Sequence, residues 1–262
     1  MPELPDVEHF RRFLLQHATG QRIDHVVVTD PGILRGVEVG VLDRALRGHG
    51  FLEPDRHGKW LIAWTTGPAV LIHFGMTGDL SWSDGRAGRH RHDRVMFVLD
   101  RGELRYRNMR KLGGLWLAHD PDEVTTILGS LGPDALEVKR RQFLRLLAHR
   151  RGRVKPLLMN QRLVAGLGNI LVDEILWQAR IHPLTPTETL SETQRDELFT
   201  RMRSVVRRSV ERYDYIEENR RWLSHVRGRP GARCPRCGEE LARTVVGGRT
   251  TYYCPRDQPA VH

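Results

Sequence analysis

Apolar residues near the start of the chain recur at helical spacing. Val7, Phe10, Phe13, Leu14 and His17 share one face, while Pro5, Asp6 and Glu8 fill the opening turn. Proline and acidic residues suit a helix start, so the pattern predicts a helix from Leu4 to about Ala18. From Arg22 to Trp116 the pattern shifts to short β-rich runs, Ile23–Val28, Trp60–Trp64, Ala69–Phe74 and Val95–Leu99. Gly67-Pro68, Asp84-Gly85-Arg86 and Asp100-Arg101-Gly102 punctuate them. This half reads as a β-sandwich or barrel with a helix at its start. Composition changes again at Leu131-Gly132-Pro133-Asp134. Helical patterns then cover Arg140 to Arg150, Lys155 to Met159, Ile170 to Arg180 and Glu192 to Tyr213. The loop Val164–Asn169 separates two of these helices, and Arg227–Gly231 reads as a linker to a small C-terminal unit. The expected fold class is α+β, in three segments: 1–131, 132–229 and 230–262.

The apolar fraction of 39% over 262 residues is enough for a buried core. The net charge of +10 suits a phosphate-rich partner, although an arginine-rich composition alone gives the same sign. Of 42 basic residues only four are lysines: Lys59, Lys111, Lys139 and Lys155. Lysine, unlike arginine, gives up its proton within reach of neutral pH, which draws attention to each of the four. The most apolar stretch, Leu61 to Met76, is cut by Gly67-Pro68 and holds His73, so no membrane span is expected. Met1-Pro2-Glu3-Leu4 lacks the charged-then-apolar pattern of a secretory signal. A cytoplasmic, reduced protein is therefore expected, and three C-terminal cysteines make no disulfide framework.

Those cysteines have a different use. Cys234-x2-Cys237 and Cys254-x2-Asp257, separated by sixteen residues, have the spacing of a two-knuckle zinc ribbon. A carboxylate oxygen ligates zinc, so Asp257 is one candidate for the fourth ligand and His262 is the other. The alternative is a hairpin that folds without metal.

Four segments, in order and along essentially the whole chain, resemble the formamidopyrimidine-DNA glycosylase/endonuclease VIII family, closer to its formamidopyrimidine branch. Pro2-Glu3-Leu4-Pro5-Asp6-Val7-Glu8 is similar to the family's catalytic N-terminus, and His57-Gly58-Lys59-Trp60-Leu61 to the hairpin with its catalytic lysine. Lys155–Asn160 with Val164–Ile170 resembles the helix–two-turn–helix motif, and Gly248–Pro255 the zinc-finger hairpin. The resemblance implies a bifunctional glycosylase and abasic-site lyase of base excision repair. With Met1 removed, Pro2 has a free secondary amine. Its reference pKa of about 7.7–8.0 leaves an appreciable neutral fraction at physiological pH. Such an amine attacks C1′ of a damaged nucleotide and holds the sugar as an iminium (Schiff base), whose electron-sink character permits elimination of the 3′ phosphate. By the same resemblance Glu3 donates protons, Lys59 assists β-elimination, Arg249 contacts phosphate and supports δ-elimination, and Glu174 lies near the catalytic centre. Asp6 stands where the family usually has glutamate.

The partner implied is double-stranded DNA carrying damaged bases or abasic sites, held by a monomer in a cleft between the two domains, which associates the protein with the nucleoid. Lys155, Arg249, Asn169 and His92 match phosphate-binding positions, and each positive contact adds salt-sensitive affinity. The family fills the gap left by an extruded base with a methionine, an arginine and an aromatic. Met76 and Arg110 match the first two; Leu112, after Lys111, takes the place of the aromatic and keeps a wedge without stacking. The stretch from Tyr213 to Cys234 is short and lacks the Gly-rich lid over a flipped 8-oxopurine. That puts formamidopyrimidines, hydantoins, oxidised pyrimidines and abasic sites forward as substrates beside 8-oxoguanine. The competing readings are a damage-binding protein that has lost turnover and an unrelated zinc-ribbon nucleic-acid-binding module. Loss of Pro2, Glu3 or Lys59 would mark the former, and all three are present.

Overall fold

The computed structural model describes residues 2–148, 150–212 and 218–260. The chain divides into two units, one of Pro2 with Asp6–Ser130, the other of Glu3–Pro5 with the described residues from Leu131 onward.

The first unit is a β-sandwich. Helix α1 (Leu4–His17) precedes β1 (Ile23–Val28), α2 (Val39–Leu46), β2 (Asp55–His57), β3 (Trp60–Ala63) and β4 (Ala69–His73). Then come β5 (Gly78–Ser83), β6 (Asp93–Leu99), β7 (Gly102–Asn108), β8 (Gly114–Ala118) and α3 (Pro121–Leu128). Two four-stranded sheets form, ordered β1-β6-β7-β5 and β2-β3-β4-β8, and every pairing within them is antiparallel. Alternation along the strands explains the layers. Leu61, Ala63, Val70 and Ile72 share a core with Val95, Phe97, Leu104 and Tyr106 of the other sheet, and Val7, Phe10 and Leu14 of α1 join it. The opposite faces of β3 and β4 carry Ile62, Ala69 and Leu71, which pack with Val124 of α3 and with Trp60 and Trp116. Strand β4 is apolar from Ala69 to Ile72 because both of its faces are covered there.

The second unit is helical and ends in a hairpin. It comprises α4 (Arg140–Ala148), α5 (Val154–Met159), α6 (Asn169–Gln178), α7 (Glu192–Glu211) and the short α8 (Leu223–Val226), followed by β9 (Ala242–Val246) and β10 (Arg249–Tyr253). Helix α6 packs against α5, α7, α8 and β10. Every residue from Leu171 to Trp177 is buried, which accounts for a helix without a polar face. Helix α7 opens with a capping box, Ser191 accepting from the Gln194 amide while Gln194 Oε1 accepts from the Ser191 amide. Among the described residues no helix is long and apolar enough to cross a membrane.

Candidate functional site

Glu3 is held at the start of α6. Its Oε1 accepts a hydrogen bond from the Ile170 amide at 2.8 Å and its Oε2 one from the Leu171 amide at 3.0 Å. Helix starts leave such N–H groups without intrahelical partners and favour a negative charge, so the carboxylate is fixed from both oxygens. The loop before α6 is shaped to admit it. A Cβ on Gly168 would lie 2.2 Å from Glu3 Cδ, so no larger residue fits there while Glu3 keeps its place. The Leu4 amide donates to the Gly166 carbonyl oxygen at 3.1 Å, fastening the backbone that follows Glu3. Pro2, peptide-bonded to Glu3, is half-buried.

Helix α6 also carries two buried acids. Asp173 Oδ1 lies 2.6 Å from Lys155 Nζ, and Asp173 Oδ2 accepts from Arg227 Nε at 2.9 Å. Lys155 Nζ donates in addition to Thr251 Oγ1 at 2.7 Å, and Asn169 Nδ2 and Arg227 both donate to the Thr250 carbonyl oxygen at 3.0 Å. This network fastens β10, whose first residue is the exposed Arg249, to α5 and α6. Burial pulls the Lys155 ammonium below the ordinary lysine range, opposed by the charge and hydrogen bond of Asp173. The phosphate contact expected of Lys155 does not fit this placement. Its side chain is 0% exposed and its ammonium is committed to Asp173 and Thr251. Asn169 is the first residue of α6 as expected, and its amide group is turned to Thr250.

Glu174, the second acid, accepts from Gln178 Nε2 at 2.7 Å and from the Ser224 amide at 2.9 Å. Burial pushes its pKa up to about 7, against those two hydrogen bonds. Its charge therefore changes near neutral pH.

In the first unit, Lys59 follows Gly58 in the turn between β2 and β3. Burial and the Lys59 charge push the His73 imidazole down to about 4. The turn with Met76 and the loop with Arg110, Lys111 and Leu112 are joined through Asn108, which is 0% exposed. Its Nδ2 donates to the Phe74 carbonyl oxygen and to the Tyr106 hydroxyl at 3.1 and 2.8 Å, while its Oδ1 accepts from Thr77 Oγ1 and the Lys111 amide at 3.2 and 2.9 Å. The backbones touch: a Cβ on Gly113 would lie 1.9 Å from the His73 carbonyl oxygen. Leu112 is 55% exposed and Met109, which sequence reasoning missed, 52%. Apolar side chains held out at a loop tip are suited to inserting into a stack. Met76 is half-buried. Lys111 adopts a left-handed φ of 53° and its ammonium pairs with Asp30 at 2.9 Å. His92 opens onto Arg91 and Arg94, and its pKa is lowered by desolvation and by those two charges.

The C-terminal knuckles read Cys-Pro-Arg-Cys and Cys-Pro-Arg-Asp. The ligand atoms of Cys234, Cys237, Cys254 and Asp257 all lie within 4.8 Å of one another. Cys237 and Cys254 sulfurs are 3.4 Å apart and Cys234 Sγ is 3.3 Å from Asp257 Oδ2. A tetrahedral zinc with bonds of about 2.3 Å to sulfur and about 2.0 Å to oxygen spaces its ligands by roughly 3.5–3.8 Å, so the four residues fit the ion after a small outward shift of the side chains. Trp177 of α6 supports the first knuckle, its indole N–H donating to Cys234 Sγ at 3.3 Å. His262, the other candidate ligand, lies outside the described residues, as do residues 213–217 of the expected lid region.

Residues 1–115 match the formamidopyrimidine-DNA glycosylase N-terminal domain, residues 131–219 the formamidopyrimidine-DNA glycosylase H2TH domain, and residues 231–260 the zinc finger found in FPG and IleRS. Formamidopyrimidine-DNA glycosylase of Pelotomaculum thermopropionicum is 36% identical, with 98% of this chain and 99% of the relative covered. That of Symbiobacterium thermophilum is 38% identical over 99% of this chain and 90% of the relative. Among solved structures, the Lactococcus lactis enzyme in complex with DNA containing N7-benzyl-Fapy-dG has a TM-score of 0.91 at 30% identity, covering 99% of this chain and 100% of that one. The same enzyme bound non-covalently to DNA containing an abasic (AP) site has a TM-score of 0.89 at 31% identity, covering 98% and 100%.

Proposed function

The chain belongs to the formamidopyrimidine-DNA glycosylase family, and from that premise we propose that it is a bifunctional DNA glycosylase and abasic-site lyase of base excision repair. It acts as a monomer on double-stranded DNA in which a base is oxidised or missing. The observation that carries this reading is the clamped Glu3 carboxylate, one peptide bond from Pro2. Pro2, with Met1 removed, attacks C1′ as its secondary amine and displaces the base; the Glu3 carboxylate takes the proton released from the Pro2 nitrogen and donates it to the sugar ring oxygen as the ring opens to the iminium. The iminium at Pro2 then withdraws electrons from the sugar. Lys59 assists β-elimination, and Arg249 binds the phosphate and supports δ-elimination.

Met76, Arg110 and Leu112 occupy the gap left by the extruded nucleotide, with Met109 beside them. His92, Asn169, Lys111 and Arg249 add contacts to the DNA backbone. Lys155 acts at one remove, by fixing β10. Cys234, Cys237, Cys254 and Asp257 hold one structural zinc, which ties the two knuckles together and supplies no chemistry to the reaction. Glu174 acts near the catalytic centre, where its carboxyl holds the Ser224 amide. The lesion range extends from formamidopyrimidines to oxidised pyrimidines and bare abasic sites, and the protein works in the cytoplasm on the nucleoid. The test is a panel of defined duplexes. Base release and strand cleavage at a formamidopyrimidine and at an abasic site are expected. Binding to both without cleavage of either would favour a damage-binding protein instead.

A further inference from the structure

Helix α6 has Glu3 at one end and a concentration of positive charge at the other. Just past its C-terminus, about 16 Å from Asn169 at the helical rise, a cleft of about 630 Å³ is lined by Arg180, Arg201, Arg208, Arg221 and Arg236, with Glu197 as the one acid among its described lining residues. Arg201 pairs with Glu197, and Arg236 stacks on Trp177 and pairs with Asp257. Among the described residues, the guanidinium groups of Arg180, Arg208 and Arg221 make no ion pair. Arg208 also lines a second cleft of about 710 Å³, together with Lys139, Arg140, Arg203 and Arg207 against Glu137 and Glu211. The two clefts therefore flank one arginine and make a continuous cationic track across the exposed side of α7.

Two features argue against an ordinary solvated face. Like charges converge in concave ground, where they repel one another and focus a positive field. Arg180 also has a φ of 56°, a left-handed position just after a helix that glycine or asparagine usually fills. An arginine is kept there against the backbone preference, with its side chain exposed at the cleft.

We propose that this track is a second nucleic-acid-binding surface, which takes the phosphodiester backbone of a DNA segment other than the one carrying the lesion. Guanidinium forks match phosphate oxygens in pairs. Arg201 and Arg208, two turns apart on α7, stand about 10 Å from each other along the helix and address separate phosphates of one strand. The track is dominated by guanidinium groups spaced for backbone phosphates, so the binding is expected to depend on salt more than on sequence. The surface lets the protein hold one duplex while it works on another.

The experiment first saturates the zinc-loaded, full-length protein with an unlabelled duplex bearing a non-cleavable abasic analogue. A fluorescent undamaged duplex is then titrated and followed by anisotropy. Saturable binding of the second duplex is expected. In Arg180→Glu/Arg201→Glu/Arg208→Glu it weakens at least tenfold, and the slope of log K against log salt falls by about 2. Cleavage of an abasic duplex by this variant stays within twofold of the parent. The milder Arg180→Ser/Arg201→Gln/Arg208→Gln variant shows the same direction of change and guards against misfolding. Absence of a second binding event, or binding of the second duplex by both variants with the parent's affinity, would overturn the proposal. Failure of the parent protein to cleave would count against the glycosylase reading alone, because the anisotropy measurement does not depend on cleavage.

Discussion

Asp173 and Lys155 face each other at 2.6 Å with neither side chain exposed, and the same carboxylate reaches Arg227. A buried ion pair adds little net stability over an apolar pair, but breaking it strands a charge. Asp173→Asn should therefore lower the unfolding free energy by about 3 kcal/mol in urea titration. Lys155→Met added to it should restore at least about 1 kcal/mol relative to the sum of the single effects. Strict additivity would contradict the assignment of Lys155 to this network.

Gly168→Ala tests the seat of Glu3. The added Cβ would fall 2.2 Å from Glu3 Cδ, so the carboxylate must leave the Ile170 and Leu171 amides. Catalysis is sensitive to displacements near 1 Å, and the rate of base excision should fall about 100-fold. Excision at the parental rate would separate Glu3 from the chemistry.

Glu174 has a pH signature. Its folded pKa of about 7 lies above the 4.5 of an unperturbed glutamate. The neutral carboxyl is therefore the form that favours the fold. Its contribution is complete below about pH 4.5 and is lost as pH rises through 7, on the order of 3 kcal/mol in all. Glu174→Gln should flatten the fall in stability between pH 5 and 8 when melting is followed across that range; an unchanged slope would place the titration elsewhere.

The fold's regular periods were readable from the chain, and its long-range partners were not. Ile23–Val28 and the α7 pattern announce themselves by β-branched density and by helical spacing. Strands β5 and β7 escaped the sequence reading because Asp79, Ser81, Ser83 and then Glu103, Arg105, Arg107 interrupt each apolar residue, so neither forms an apolar run. The structure shows Leu80, Leu104 and Tyr106 turned inward at every second position. The sequence singled out Lys155 as a rare lysine, but its partners lie 18 and 96 residues away, and nothing local distinguishes a phosphate contact from a buried pair. Asn108 gave no signal at all, since its role depends on the approach of two loops 34 residues apart.

Asn108→Ala should loosen both of those loops together. The loss leaves the Tyr106 hydroxyl short of a donor and the Lys111 amide short of an acceptor, while the Phe74 carbonyl oxygen keeps only the Gly78 amide, which together cost about 2 kcal/mol. Met76, Arg110 and Leu112 lose their common support, so affinity for a lesion duplex should drop about tenfold in an anisotropy titration. Affinity held at the parental level would mean that the wedge is supported elsewhere.

The zinc site makes a separate prediction. Chelation should release one zinc per chain, lower the melting temperature and abolish tight binding to DNA. Asp257→Ala should weaken zinc retention, whereas Asp257→Cys, which makes a four-thiolate set, should strengthen it. Full zinc retention by Asp257→Ala would assign the fourth ligand to another residue.

Borohydride trapping on an abasic duplex, with the adduct mapped by peptide mass spectrometry, reaches the core of the account. Reduction of the iminium should place the sugar on the nitrogen of Pro2, and protein whose N-terminus is capped by a retained Met1 should give no adduct. An adduct on Lys59, Lys111, Lys139 or Lys155, or undiminished trapping by the capped protein, would contradict the assignment of Pro2 as nucleophile.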